Sequence, residues 1–248
     1  MDPERTVAPS SYVALPSHRA VAAVAALGEG SRRRMYEFVR GSARPVSRDR
    51  AAAAVGISRK LAAFHLDKLV EVGLLEAEIA GPGELRRVGR RPKVYRAGHD
   101  DVRVTIPARC PDLLVGILLE ALDPAGSPDP EEVTVDNAGM VAAVARRRGR
   151  ELGAAERDRT RPGRFGTERG LTATAAVLTA LGFEPRRETP TSLTLCNCPF
   201  QPHAAVSPQL VCTLNHALVS GLLAGLQVES VAATLAPQPG QCCVQLSG

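Results

Sequence analysis

The chain has 248 residues, room for one large domain or two ordinary ones, and its 44% hydrophobic and 23% charged content excludes disorder for most of its length. Aromatics are only 3% and tryptophan is absent, so the core is aliphatic and binding to nucleic acid through aromatic stacking platforms is excluded. The net charge of +5 is uneven: residues 1–108 hold 19 Lys and Arg against 12 Asp and Glu, residues 109–248 hold 12 against 14, and a polyanionic partner is therefore expected for the first half.

Residues 1–16 show little periodicity and read as a frayed tail. Helical spacing begins near His18, where Val21, Val24, Ala25 and Leu27 give a short helix ended by Gly28 and Gly30. Ser31 is the expected cap of the next, with Met35, Phe38 and Val39 as its apolar stripe and Gly41 as its end. Ser47 caps an alanine-rich helix closed by Gly56. Ile57-Ser58 opens another, with Ala62, Leu66 and Leu69 on one face, stopping at Gly73. The period then changes: 74–79 reads as a strand and 93–96 as its antiparallel partner, with Gly81-Pro82-Gly83 and an arginine-rich loop between. Two short helices joined by a glycine turn and followed by a hairpin predict a winged helix-turn-helix domain over 17–107.

A strand-like link at 102–106 leads into a second domain, 108–248. Helices are expected over 113–122, 138–152 and 171–181, the last stopped by Gly182, with a loop at 124–130. A strand at 192–195 follows. Ser207 then caps a helix to Leu226 with Pro208 at its first position, and strands follow over 228–235 and 241–246. The fold class is α+β: a winged helix-turn-helix domain followed by an α+β sensor and dimerisation domain. No apolar leader follows Met1, and the longest nearly apolar run, 217–226, falls short of the ~20 residues of a spanning helix. A cytoplasmic protein with no membrane role is the expectation.

With Ala62, Leu66 and Leu69 facing the core, Ser58, Arg59, Lys60, Ala63 and Phe64 point outward near the start of their helix, the end that enters the major groove in this motif. Arg59 and Lys60 reach guanine acceptors or phosphates, Ser58 caps and contacts phosphate, Ala63 permits close approach, and Phe64 meets a thymine methyl. Ser47 and Lys68 complete the helical contact set, while His65 is expected at the edge of the core. Arg86, Arg87, Arg90, Arg91 and Lys93 form a cationic wing suited to phosphate or a narrow minor groove. A short half-site calls for a homodimer on a near-palindromic operator in double-stranded DNA. The run Arg146-Arg147-Arg148-Gly149-Arg150, with Glu151 and Glu156 nearby, reads instead as an exposed charged helix face.

From Thr189 onward the only charged residue is Glu229, and five of the six cysteines lie there. Without an export signal, disulfides are disfavoured, and the spacings fit no paired C-x-x-C zinc knuckle. Cys198 after a strand and before Pro199, Cys212 early on a helix, and Cys242 or Cys243 after Pro239-Gly240 could bring three thiolates together from three elements. Soft ligands in an uncharged shell suit an iron–sulfur cluster, with structural zinc, then plain buried cysteines, as the alternatives. Cys196 or His216 is the candidate fourth ligand, a hydrogen-bonding role being the more ordinary one for His216. His203 is a weaker contender, and Cys110 is expected merely to pack. A catalytic Fe–S protein would need convergent acids and bases, and this stretch offers Glu229 and two histidines.

The first domain resembles the winged helix of ArsR/DeoR-like bacterial regulators through Val46-Ser47-Arg48-Asp49, Gly56-Ile57-Ser58-Arg59, His65-Leu66-Asp67-Lys68-Leu69 and Gly73-Leu74-Leu75. The second resembles the SufR-like iron–sulfur repressors through Leu195-Cys196-Asn197-Cys198-Pro199-Phe200, Leu210-Val211-Cys212, Leu214-Asn215, Gly221-Leu222-Leu223 and Pro239-Gly240-Gln241-Cys242-Cys243. Gln201 stands where that family often has histidine. The resemblance implies a dimeric repressor, not an enzyme, holding a [4Fe–4S] cluster through Cys198, Cys212 and one of Cys242 and Cys243. Oxidation or nitric oxide at the cluster would shift its operator affinity.

Overall fold

The structure, a computed structural model, describes residues 18–79, 92–98, 102–123, 137–160, 166–238 and 240–248. It mixes helix and strand in an α+β fold and divides into two compact units, one within Pro16–Val104 and the other within Thr105–Gly248.

The N-terminal unit runs α1 (His18–Leu27), α2 (Gly30–Arg40), β1 (Val46–Ser47), α3 (Arg48–Val55), α4 (Arg59–Glu71), β2 (Leu75–Ile79) and β3 (Lys93–Ala97). Local chemistry accounts for most of these limits. The Ser47 hydroxyl accepts from the Arg50 amide and Ser58 from the Leu61 amide, capping α3 and α4. Gly56 stops α3 at φ 72°, a left-handed conformation that suits glycine. The cap of α2 is not Ser31 but Glu29, whose carboxylate accepts from the Ser31 and Arg32 amides at 2.9 and 2.8 Å. Two amides and the positive end of the helix dipole favour a carboxylate over a hydroxyl already inside the first turn. The strands form an antiparallel sheet in the order β1-β3-β2. The two-residue β1, not expected from its composition, pairs Val46 with Tyr95 and Ser47 with Val94. Met35, Leu66, Leu69 and Tyr95, all fully buried, fill the space between sheet and helices.

Residues 102–110, which lead from the N-terminal unit into the C-terminal one, are irregular. The strand expected over 102–106 is absent because no described strand lies alongside to take its hydrogen bonds. There follow α5 (Pro111–Leu122), α6 (Asn137–Thr160), α7 (Thr167–Ala180), β4 (Pro185–Thr189), β5 (Ser192–Leu195), α8 (His203–Val206), α9 (Pro208–Leu226), β6 (Ala232–Leu235) and β7 (Val244–Ser247). The four strands make one antiparallel sheet, β4-β5-β7-β6. Leu246 of β7 lies opposite both Leu193 and Ala233 and turns inward with Leu193. By length and apolar composition α9 could cross a membrane, so the apolar stretch extends further than 217–226. Leu214, Leu218, Val219, Leu222 and Leu226 of this helix are buried in the unit's core. Ser207 precedes α9 without a side-chain capping bond.

Helices α6 and α9 pack at backbone contact. A Cβ on Gly149 would meet the Leu218 carbonyl oxygen at 1.9 Å and one on Gly153 the Leu222 oxygen at 2.4 Å. In return, Gly221 faces the Arg146 oxygen and Gly225 the Arg150 oxygen at 2.0 and 2.1 Å. Residue numbers rise together along both helices, so the pair is parallel. This contact carries α6 beyond Leu152, where it was expected to end, to Thr160. The Arg157 guanidinium donates to the Leu226 carbonyl at the end of α9, a C-terminal cap supplied from a neighbouring helix.

Candidate metal centre and candidate nucleic-acid face

The cysteine-bearing segments meet at one end of the C-terminal sheet. Residues 196–202 leave β5, held by the Cys196 amide donating to the Glu184 carbonyl at 2.8 Å. Asn197, buried, donates through Nδ2 to the Gly182 and Ala108 carbonyls. The Cys110 amide donates to the Pro199 carbonyl, and the Cys242 amide to the Leu195 carbonyl, both at 2.9 Å. These bonds tie four chain segments together and set Cys198 beside Cys242.

Cys242 and Cys243 lie in the turn before β7, not on it. Strand alternation therefore does not separate them, and both are buried. Their contacts do separate them. Cys198 and Cys242 interact through their side chains, and Cys242 in turn with Cys243. Asn215 of α9 donates from Nδ2 to the Cys242 sulfur at 3.0 Å. Cys242 thus faces Cys198. The hydrogen bond to Cys242, together with burial, pushes the Cys198 thiol far above the usual thiol range. For Cys242, the bond from Cys198 favours the thiolate, but its own bond to Cys243 and its burial prevail and hold it at about 11.

The other expected ligands stand apart. Cys212 is half-buried on α9, three residues before Asn215, and is not among the groups that act on Cys198 or Cys242. Cys196 is half-buried beside the Arg186 guanidinium. His216 spends Nε2 on the Ala233 carbonyl at 2.9 Å, the hydrogen-bonding role, and His203 is exposed on α8. Cys110 packs in the core, where burial raises its thiol to about 11. Among the described residues, no three His, Cys, Asp or Glu side chains converge on one point.

Two polar groups stand beside the thiols: Asn215, which helical spacing puts on the face of Cys212 and His216, and Arg109, which nothing in the sequence singles out. Arg109, half-buried, donates to Asn197 Oδ1, to the Cys198 carbonyl at 3.3 Å and to the Ala108 carbonyl at 3.1 Å, and its charge acts on Cys198. Asn215 is fully buried, and its Oδ1 has no partner among the described residues. Soft sulfur donors, a buried N–H aimed at the Cys242 sulfur and a cation held by neutral groups fit an anionic, sulfur-ligated metal group at Cys198 and Cys242.

In the N-terminal unit, α4 turns Ala62, His65, Leu66 and Leu69 inward, so His65 is a core residue. Ser58, Arg59, Lys60 and Phe64 are exposed, with Phe64 at 62%, and Ala63 is half-buried. Arg59 Nε lies 2.8 Å from Asp49 of α3, an exposed pair that orients the guanidinium. Lys68 is bound to Glu71, and Lys93 to Asp67 at 2.8 Å, so both cations already have carboxylate partners. Ser47 is committed to its cap. Arg86, Arg87, Arg90 and Arg91 lie outside the described residues. In the C-terminal unit, Arg147 and Arg148 clamp Glu120 of α5, and Gly149 is buried against α9. That arginine run is a partly packed helix face, not a free basic patch.

Comparison with protein-family models, curated proteins and solved structures finds no match to this chain.

Proposed function

We propose that the protein is a DNA-binding transcriptional regulator, a repressor of the SufR-like kind. Its N-terminal unit acts as a winged helix-turn-helix, and a sulfur-ligated iron centre in the C-terminal unit tunes its operator affinity. The observation that carries the DNA part is α4. Ser58, Arg59, Lys60 and Phe64 are exposed at its first two turns, while Ala62, Leu66 and Leu69 anchor it on the core. Asp49 holds Arg59 by Nε, leaving its two terminal nitrogens to fork onto guanine O6 and N7.

The centre is assigned to Cys198 and Cys242, with Cys212 recruited from the neighbouring turn of α9. A bound [4Fe–4S] cluster would supply an oxidant- and nitric-oxide-sensitive site there. The chain's own residues orient two sulfurs, exclude water by burial and leave Cys243 as the inner neighbour of Cys242. A regulator rather than an enzyme is favoured because His216 is committed to a carbonyl and Glu229 is exposed.

The homodimer rests on α5, which exposes Val115, Leu119 and Leu122 at 48%, 64% and 71%, one apolar stripe at helical spacing. Sedimentation at micromolar concentration should give a dimer.

The deciding experiment selects duplexes from a random pool with the anaerobically purified full chain and reads iron, sulfide and zinc content in parallel. Selection of a near-palindrome, with iron and sulfide present, is expected. Zinc without sulfide would replace the cluster by a structural zinc site. Failure to select any duplex would overturn the regulator reading.

A further inference from the structure

Four arginines of this unit have a carboxylate partner: Arg147 and Arg148 share Glu120, Arg159 has Glu156 and Arg186 has Glu188. Arg109 does not. Among the described residues its partners are two carbonyls and the Asn197 amide oxygen, all neutral, and the ionisable group it acts on is the Cys198 thiol. A partly desolvated cation with only neutral partners is stabilised by negative charge nearby, and its bond to the Cys198 carbonyl places the guanidinium at this cysteine.

Asn215 shows the same mismatch from the other side of the pair. It is fully buried, its Nδ2 donates to the Cys242 sulfur at 3.0 Å, and Oδ1 is buried without a partner among the described residues. A leucine of similar size would suit an aliphatic core better, because an orphaned buried acceptor weakens a fold. Burial of this amide among Leu214, Leu218 and Val244 therefore has no rationale in stability alone.

We propose that Arg109 and Asn215 are positioning residues of the metal centre, Arg109 supplying positive charge to sulfur at Cys198 and Asn215 an N–H···S bond to sulfur at Cys242. The inference rests on the assignment of the centre to these two cysteines. Both groups favour electron-rich, metal-bound sulfur over the neutral thiol, as outer-shell donors do at other metal sites.

The test titrates Co2+ into the reduced, metal-free full chain, following the thiolate-to-cobalt absorption, and unfolds the same metal-free samples in urea. Asn215→Leu should unfold at a higher urea concentration than wild type, yet bind Co2+ about tenfold or more weakly. A purely structural residue would lose stability and affinity together. Arg109→Gln should weaken Co2+ binding similarly, and Arg109→Lys, which keeps the charge, should restore most of it. Wild-type affinity in both Asn215→Leu and Arg109→Gln overturns the proposal, as does a loss in Arg109→Gln that Arg109→Lys does not repair. Should Asn215→Leu fail to fold, the Arg109 variants decide. A wild-type chain that shows no cobalt–thiolate absorption and takes up no iron and sulfide overturns the centre itself, and this proposal with it. That outcome is separate from one in which wild type binds and the variants match it.

Discussion

Replacing Gly149 by alanine tests the packing that holds the C-terminal unit together. The new Cβ would stand 1.9 Å from the Leu218 carbonyl oxygen and 2.8 Å from the Leu222 amide nitrogen. Ordinary C···O contact begins near ~3.3 Å, so α6 and α9 must part by about 1.4 Å at this point. The obstacle is backbone, so no side-chain rotation relieves it. A gap of that size forfeits a quarter to a half or more of each facing dispersion contact. The reciprocal glycines of α9, seated on the Arg146 and Arg150 carbonyls, are pulled off as well. Overpacking costs ~1–3 kcal/mol or more, and the lost contacts add to it. Against this stands a helix-propensity gain of ~1 kcal/mol for alanine over glycine. A net loss of at least about 2 kcal/mol follows, roughly 5–10 °C in the melting midpoint of a unit this size. Differential scanning calorimetry of the full chain should show the transition of the C-terminal unit falling while that of the N-terminal unit holds. Gly30→Ala, where the nearest obstacle is the end of the Arg34 side chain at 3.7 Å, should be neutral or slightly stabilising. A Gly149→Ala protein as stable as wild type, or more so, would refute the backbone-contact reasoning.

Arg59→Ala should relax sequence preference by ~1–3 kcal/mol at one base position; duplex selection with unchanged specificity would remove Arg59 from base readout. Lys60→Ala should weaken all duplexes alike and flatten the salt dependence of binding by about one unit, measurable by fluorescence anisotropy. Phe183 and Phe200 meet edge to face at 6.1 Å and are buried, so Phe200→Ala should cost ~3–5 kcal/mol in urea unfolding. The Cys110 thiol is raised by burial from 9.0 to about 11. The unfolded chain therefore releases this proton before the folded one does. Its contribution is intact below pH 9 and falls by roughly 2–3 kcal/mol as pH rises to about 11. A melting series in Cys110→Ala and wild type should show that difference.

Much of the N-terminal unit was legible because its determinants are local. Ser47 and Ser58 cap the helices that follow them, Gly56 supplies a left-handed turn, and the spacing of Ala62, Leu66 and Leu69 defines the inner face of α4. Each involves residues within a turn or two, so composition and order suffice. What the order could not show depended on partners distant in the chain. Val46-Ser47 is a strand only because β3 arrives beside it. β4, rich in charge and beginning with proline, is a strand only because β5 pairs with it. The choice of Cys242 over Cys243 as the neighbour of Cys198 came from the turn before β7 and from Asn215 on another helix. The glycines at 149, 153, 221 and 225 look like breaks in helical sequence, and only the parallel approach of α6 and α9 gives them a function. Arg109 carries no local signal, and the helix face that Asn215 shares with Cys212 does not tell which sulfur it meets. Their meaning is electrostatic and depends on which groups surround them after folding, a property of the tertiary structure that no pattern along the chain encodes.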